Sequence, residues 1–337
     1  MSELANWVRA LPKAELHVHL EGTISPSAYR RIAQRNGVPI ADDIAGLYRC
    51  HDFETFLSAF VQIVKVLRQP QDFFELTAEY LSSSAADSVR HIELMLSPAT
   101  LRYFDKSIDL VAIVAAIHDA CRQAHAASGI STLVIFDMVR NLGPEAALLD
   151  IELALRCREY GVVGIGLGGD EHNFPARDFG EPFARAQQAG LRRTVHAGEA
   201  AGAESVQDAV TFCHAERIGH GVAAAHSPDT MRLLRERKIA VEACLTSNDV
   251  TGVWNTYHAH PIIRFINDEV PATLNSDDPA FFGATLVDEY VRAAGLGLSR
   301  ATLLQLARNS FVYSFAAERD KQRWLSELDR FTEVSRA

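Results

Sequence analysis

The sequence predicts an α/β fold, a (β/α)8 barrel, from two observations. Eight short apolar or β-rich runs recur along the chain, at Glu15–Leu20, His91–Leu96, Thr132–Met138, Val162–Leu167, Thr194–His196, Arg217–His220, Ala240–Leu245 and Ala272–Asn275. Between most of them lie helix-period stretches such as Leu110–Ala127, Glu145–Tyr160 and Asp229–Arg237. No linker, low-complexity segment or short repeat divides the chain, so residues 1–337 are expected to form a single domain. An open doubly wound sheet is the rival, but it needs fewer strands and a phosphate-type glycine loop after the first.

The elements follow in order. The first crossover is long, from Gly22 to about Arg90, and carries helical patterns at Pro26–Asn36, Phe53–Leu67 and Asp72–Ser84. These extra helices are expected to roof the barrel mouth. Phe53, Phe56 and Phe60 make an apolar stripe there that suits a core, with a sugar or base contact as the alternative. The C-terminal stretch from Ser299 is helical in pattern. Leu303, Leu304, Leu306, Ala307, Phe311 and Phe315 share one face and are expected to pack on the barrel's outside.

Composition narrows the function classes. A net charge of −10 offers a nucleic-acid backbone no general attraction, and no Lys/Arg run makes a local groove. No apolar run approaches membrane-spanning length, and Met1–Leu11 lacks a signal-peptide pattern. The five cysteines, Cys50, Cys121, Cys157, Cys213 and Cys244, are never in C-x-x-C spacing and read as reduced core thiols. The expectation is a cytoplasmic protein with a small-molecule partner, without nucleic acid, membrane or an obligate protein partner.

Five polar clusters stand at the C-terminal ends of predicted strands 1, 4, 5, 6 and 8, the end where barrel active sites form. They are Glu15-Leu-His17-Val-His19-Leu-Glu21-Gly22, Gly168-Gly169-Asp170-Glu171, His196-Ala-Gly-Glu199, Gly219-His220-Gly221 and Ser276-Asp277-Asp278-Pro279. Strand alternation puts His17 and His19 on one face, so both imidazoles can reach one ion. Each cluster alone is weak, since polar turn residues routinely follow buried strands. Their joint occurrence at one end of five strands is what carries the reading.

These motifs resemble the adenosine deaminase family in order and nearly end to end, together with Cys244-Leu-Thr-Ser-Asn248 after strand 7. The resemblance implies one Zn2+ per chain, held by His17, His19, His196 and Asp277. Glu199 would shuttle a proton at purine N1, and His220 would orient the attacking water. Gly169 and Asp278 would bond purine nitrogens, His19 would also lie beside the substrate, and Glu21 would occupy the place of a ribose-contacting carboxylate. Three neutral imidazoles and a carboxylate suit zinc with one open position. A general acid three residues beyond a ligand suits protonation of the ring.

Two other zinc chemistries fit poorly. The cytidine-deaminase type needs P-C-x-x-C, which is absent, and a bridging lysine of a two-metal site has no candidate between Lys106 and Lys238. The implied activity is hydrolysis of adenosine and 2′-deoxyadenosine to the inosine product and ammonia. Free adenine, aminodeoxyfutalosine and a non-catalytic purine-binding barrel are the alternatives. Relatives specific for adenine carry Ser-Ser-Glu after strand 4, Asp-His-Gly after strand 6 and Cys-Pro-Leu-Ser-Asn after strand 7, and this chain departs from all three. Of the other histidines, His91, His118 and His125 read as surface or capping residues, and His214 and His226, flanking strand 6, read as having no chemical role. His258 and His260, before Pro261, leave a substrate-side role open.

Overall fold

The computed structural model describes residues 2–40, 42–254 and 260–334. Eight strands lie side by side in chain order, each neighbouring pair parallel: β1 (Lys13–His19), β2 (Val89–Leu96), β3 (Ser131–Val139), β4 (Val162–Gly168), β5 (Arg192–Ala197), β6 (Arg217–His220), β7 (Ala240–Ala243) and β8 (Ala272–Leu274). The end of β8 returns to β1. His19 N–H donates to Asp277 O at 2.9 Å, and Asp277 N–H donates to His17 O at 3.2 Å. The eight strands and their surrounding helices thus make a nearly closed (β/α)8 barrel. Among the described residues no helix is long and apolar enough to cross a membrane.

Alternation along β1 sorts the chain between two environments. Ala14, Leu16 and Val18 join the apolar shell shared with the helices, while Lys13, Glu15, His17 and His19 take the other face. The barrel interior is therefore polar for much of its depth. At its floor Arg217 donates to both Glu93, at 2.5 Å, and Glu242. Its guanidinium lies 3.6 Å from the centre of the Phe315 ring. Burial alone would raise Glu93, but Arg217 and His91 outweigh it and hold the carboxyl at about 2.

Three expectations need correcting. The helix Pro70–Ala86 does not roof the mouth; it packs on β2 and on the helix Leu110–Ser128. A parallel β1–β2 pair needs a crossover helix on the sheet's outer face, and this helix supplies it. Phe315 leaves the outer face of its neighbours and turns under the barrel to join Met95 and Ile135. His91 is no surface residue. It is fully buried, 3.3 Å from Glu93 Oε1 and stacked on Trp324.

Candidate active site

The polar clusters at the strand ends converge. His17 Nε2 lies 3.3 Å and His19 Nε2 3.4 Å from Asp277 Oδ1, and the His19 and His196 Nε2 atoms are 3.2 Å apart. One ligand atom from each of His17, His19, His196 and Asp277 falls within 4.8 Å of the others. The backbone is bent to bring them there: Asp277 (φ 65°) and His220 (φ 59°) both take the left-handed region that side chains other than glycine avoid.

The electrostatics call for a cation at this point. Burial pushes His19 down to about 4 and His196 well below its ordinary range, so both rings are held neutral, with their Nε2 atoms 3.2 Å apart and lone pairs free to bind an ion. His17 Nε2 is buried without a hydrogen-bond partner among the described residues. Burial would lower His17 too, yet the carboxylates of Asp277 and Glu242 on either side of the ring raise it to about 10. A proton there does what a metal ion would do, and metal binding would displace it. The donor set therefore fits a metal ion bound by three imidazoles and a carboxylate.

Glu242 supports that set from below. Its Oε2 accepts from His17 Nδ1 at 2.9 Å while its Oε1 accepts from Arg217, so the ring is turned with Nε2 towards the ion site. Asp137 on β3 faces the other two rings from beyond hydrogen-bond distance. Its oxygens stand 4.0 Å from His19 Nδ1 and 3.8 Å from His196 Nδ1. Room for it comes from β4, where a Cβ on Gly166 would lie 2.4 Å from Asp137 Oδ1.

Facing this cluster is Glu199. Burial, then the charges of Asp277 and Glu171, push its carboxyl up to about 8, so at neutral pH it carries a proton. Its Oε1 is 3.7 Å from His220 Nε2. Glu171 fixes the loop that carries it, accepting from the backbone N–H groups of Ala200 at 3.1 Å and Ala201 at 2.8 Å. Asp278 is buried beside Asp277 with Oδ1 unpartnered among the described residues, and burial with that neighbouring charge pushes its carboxyl well above the usual range. Asp277 stays well below it, because His17 and the other imidazoles outweigh its own burial.

The model of the adenosine deaminase family matches residues 12–331. The chain belongs to the adenosine deaminase family. It is 36% identical over 333 residues to an adenine deaminase of Cupriavidus taiwanensis, covering 97% of this chain and 94% of that one. It is 38% identical over 337 residues to an aminodeoxyfutalosine deaminase of Streptomyces avermitilis, covering 98% and 94%. The crystal structure of a zinc-bound amidohydrolase from Burkholderia ambifaria is similar with a TM-score of 0.92 at 26% identity, covering 99% of this chain and 95% of that one. This family member is a hydrolytic deaminase acting on a 6-aminopurine.

Within this deaminase, His19, Gly169, His196, Glu199, His220, Asp277 and Asp278 all line one cavity, and His17 sits directly behind them, fully buried. Glu21 does not join them. A single 3-10 turn, Glu21–Thr23, carries it beneath the end of β2, where it is fully buried and its Oε1 accepts from Ser97 N–H at 2.9 Å. Ser97 and Thr100 line the cavity there instead, so the expected sugar contact is not offered by an accessible Glu21 atom. Phe56 and Phe60 also line the mouth, with Leu57, and Phe56 packs on Phe281 and Phe282 at ring-centre distances of 5.5 and 5.1 Å. His258 lies outside the described residues, whereas His260 is buried and bonded to Asn248.

Sequence reasoning gave no role to Asp137, Glu171, Glu242 or Asn248. Glu171 and Asn248 stood inside quoted motifs. Asp137 and Glu242 had only one signal each, a lone carboxylate in an otherwise apolar strand.

Proposed function

We propose that this enzyme is a mononuclear zinc deaminase that converts adenosine and 2′-deoxyadenosine to the corresponding inosine and ammonia. The observation that carries the chemistry is the buried Glu199 carboxyl, held near pKa 8 and 3.7 Å from His220 in the same cavity as the His17, His19, His196 and Asp277 cluster.

Zinc suits three imidazoles and a carboxylate, and when bound it supplies a water activated as nucleophile near neutral pH. A second donor set, His17, His220, Cys244 and Asp277, shares two residues with the first, so both cannot be filled at once. Burial pushes the Cys244 thiol well above its ordinary range, which raises the cost of forming the thiolate that a metal would need. One ion per chain follows.

The chain's own residues then handle protons and position. As oxygen adds to C6, the N1=C6 bond opens and N1 takes the proton of Glu199. His220 orients the attacking oxygen. Asp278, whose buried carboxyl is pushed up beside Asp277, can in its protonated form donate to a ring nitrogen that only accepts, which a carboxylate could not do. Gly169, at φ 99° on the cavity wall, lets the base lie close to the backbone. The Glu199 carboxylate left behind takes the proton of the new C6 hydroxyl and passes it to the amino group, which leaves as ammonia as the tetrahedral carbon collapses to the 6-oxopurine; the proton lost by the attacking water then restores the acid form of Glu199.

The nucleoside assignment rests on the cavity's outer tier. Beyond the polar cluster the wall continues through Ser97, Thr100, Val139, Phe56, Leu57 and Phe60, which offers a substituent on N9 both hydroxyl partners and apolar cover. A second reading, aminodeoxyfutalosine, is favoured by the 38% identical Streptomyces avermitilis relative. Ammonia release measured across adenine, adenosine, 2′-deoxyadenosine and aminodeoxyfutalosine separates the readings.

A further inference from the structure

Behind His220 a chain of hydrogen bonds runs from a helix end into the active site. The first amide of the helix Ile262–Asn267 has no partner within its own turn, and Ile262 N–H donates to His260 Nδ1 at 3.2 Å. A ring nitrogen that accepts carries no proton, so a neutral His260 keeps its proton on Nε2. That nitrogen is 3.3 Å from Asn248 Oδ1. Asn248 thus presents its carbonyl to His260 and its amide Nδ2 to His220 Nδ1, at 3.1 Å.

The logic then passes to His220. An amide NH2 only donates, so His220 Nδ1 accepts and the neutral ring holds its proton on Nε2. The reverse orientation of the Asn248 amide would set its NH2 against the His260 Nε2–H, donor against donor. Burial of His260, with Arg292 and His220 nearby, pushes its pKa down to about 3, which keeps that ring neutral. His260 and Asn248 are both buried, so water does not compete for these bonds.

We propose that the Ile262 backbone amide, acting through His260 and Asn248, locks His220 with its proton on Nε2, so that His220 meets the reaction as a hydrogen-bond donor. The inference rests on the reading of His220 as the residue at the attacking oxygen. It makes Asn248 and His260 positioning residues. It also means that His220 orients the nucleophile without serving as the base that takes its proton.

Long-range proton–nitrogen NMR of the metal-loaded enzyme labelled with 15N-histidine tests this, with His220→Gln used to assign the ring. The expected wild-type spectrum has a proton-bearing Nε2 and a bare Nδ1 on His220. In Asn248→Asp, where only acceptors face the ring, the proton moves to Nδ1 and kcat falls by about tenfold or more while KM stays within about twofold. His260→Ala loses part of kcat, and His260→Gln, which keeps a donor towards Asn248, recovers most of that loss. A wild-type His220 protonated on Nδ1 overturns the proposal, and so does an Asn248→Asp enzyme with unchanged kcat. If Asn248→Asp does not fold, the wild-type spectrum and the two His260 variants decide. Failure to release ammonia from any 6-aminopurine would sink the functional reading instead, leaving the tautomer measurement standing.

Discussion

Gly22 and Asp278 fit each other as hole and peg: a Cβ on Gly22 would lie 2.0 Å from Asp278 Oδ1. No rotation of a methyl group relieves such an approach, so any larger residue must displace the carboxyl. Gly22→Ala is expected to lower kcat/KM at least about 100-fold by moving Asp278 off the base. Steady-state kinetics alongside metal analysis checks it. Unchanged kinetics would remove Asp278 from substrate recognition.

Glu199→Gln should keep its metal and its fold while turnover falls by about 10²–10⁴-fold, because the acid at N1 is withdrawn and ligation is untouched. Retention of more than about a tenth of wild-type turnover would exclude Glu199 as the proton donor. The sign of the pH effect follows from its state. The protonated form is the active one and its pKa is raised to about 8, mainly by burial, so activity is lost as pH rises through that value. A kcat/KM profile flat to pH 10 contradicts this.

Metal content is expected to be about one zinc per chain, by the sharing of His17 and Asp277 between the two possible donor sets. His17→Ala and Asp277→Ala should each lose most of it. Two equivalents in the wild-type enzyme would contradict the mononuclear site.

The barrel floor predicts an acid limb to stability. Glu93 is held at about 2 in the folded chain against an ordinary 4.5, with Arg217 and His91 overcoming its burial. A depressed carboxyl stabilises the fold above pH 4.5, and that contribution is lost as pH falls towards 2. Its size is on the order of 3 kcal/mol. Thermal midpoints between pH 5 and 3 should fall more steeply for wild type than for Glu93→Gln. Equal slopes would show that the pair does not set acid stability.

The strands and the clustering of His17, His19, His196 and Asp277 were legible because strand alternation and strand ends place them. Lys13, Glu15, His17 and His19 mark one face of β1, His196 lies at the end of β5, and Asp277 follows β8 by three residues. Partners far apart in sequence were not legible. Arg217 meets Glu93 across 124 residues, and nothing local to either names the other. Asp137 reads as one polar residue in an apolar run until the strand register sets it beside Gly166. Glu21 shows the converse: it keeps its place in the motif, but a 3-10 turn after β1 takes it out of the cavity. His91 was misplaced because a histidine at a strand start is usually solvated, whereas Trp324 and Glu93 bury this one.

The claim that this deaminase acts on nucleosides is tested most directly by kcat/KM for adenosine and for adenine, measured on the same zinc-loaded preparation. On this reading the outer tier of Ser97, Thr100, Phe56, Leu57 and Phe60 contacts the sugar on N9. Binding energy from that remote part of the substrate should then appear as a higher kcat/KM for adenosine, by about tenfold or more. A higher kcat/KM for adenine would contradict the account.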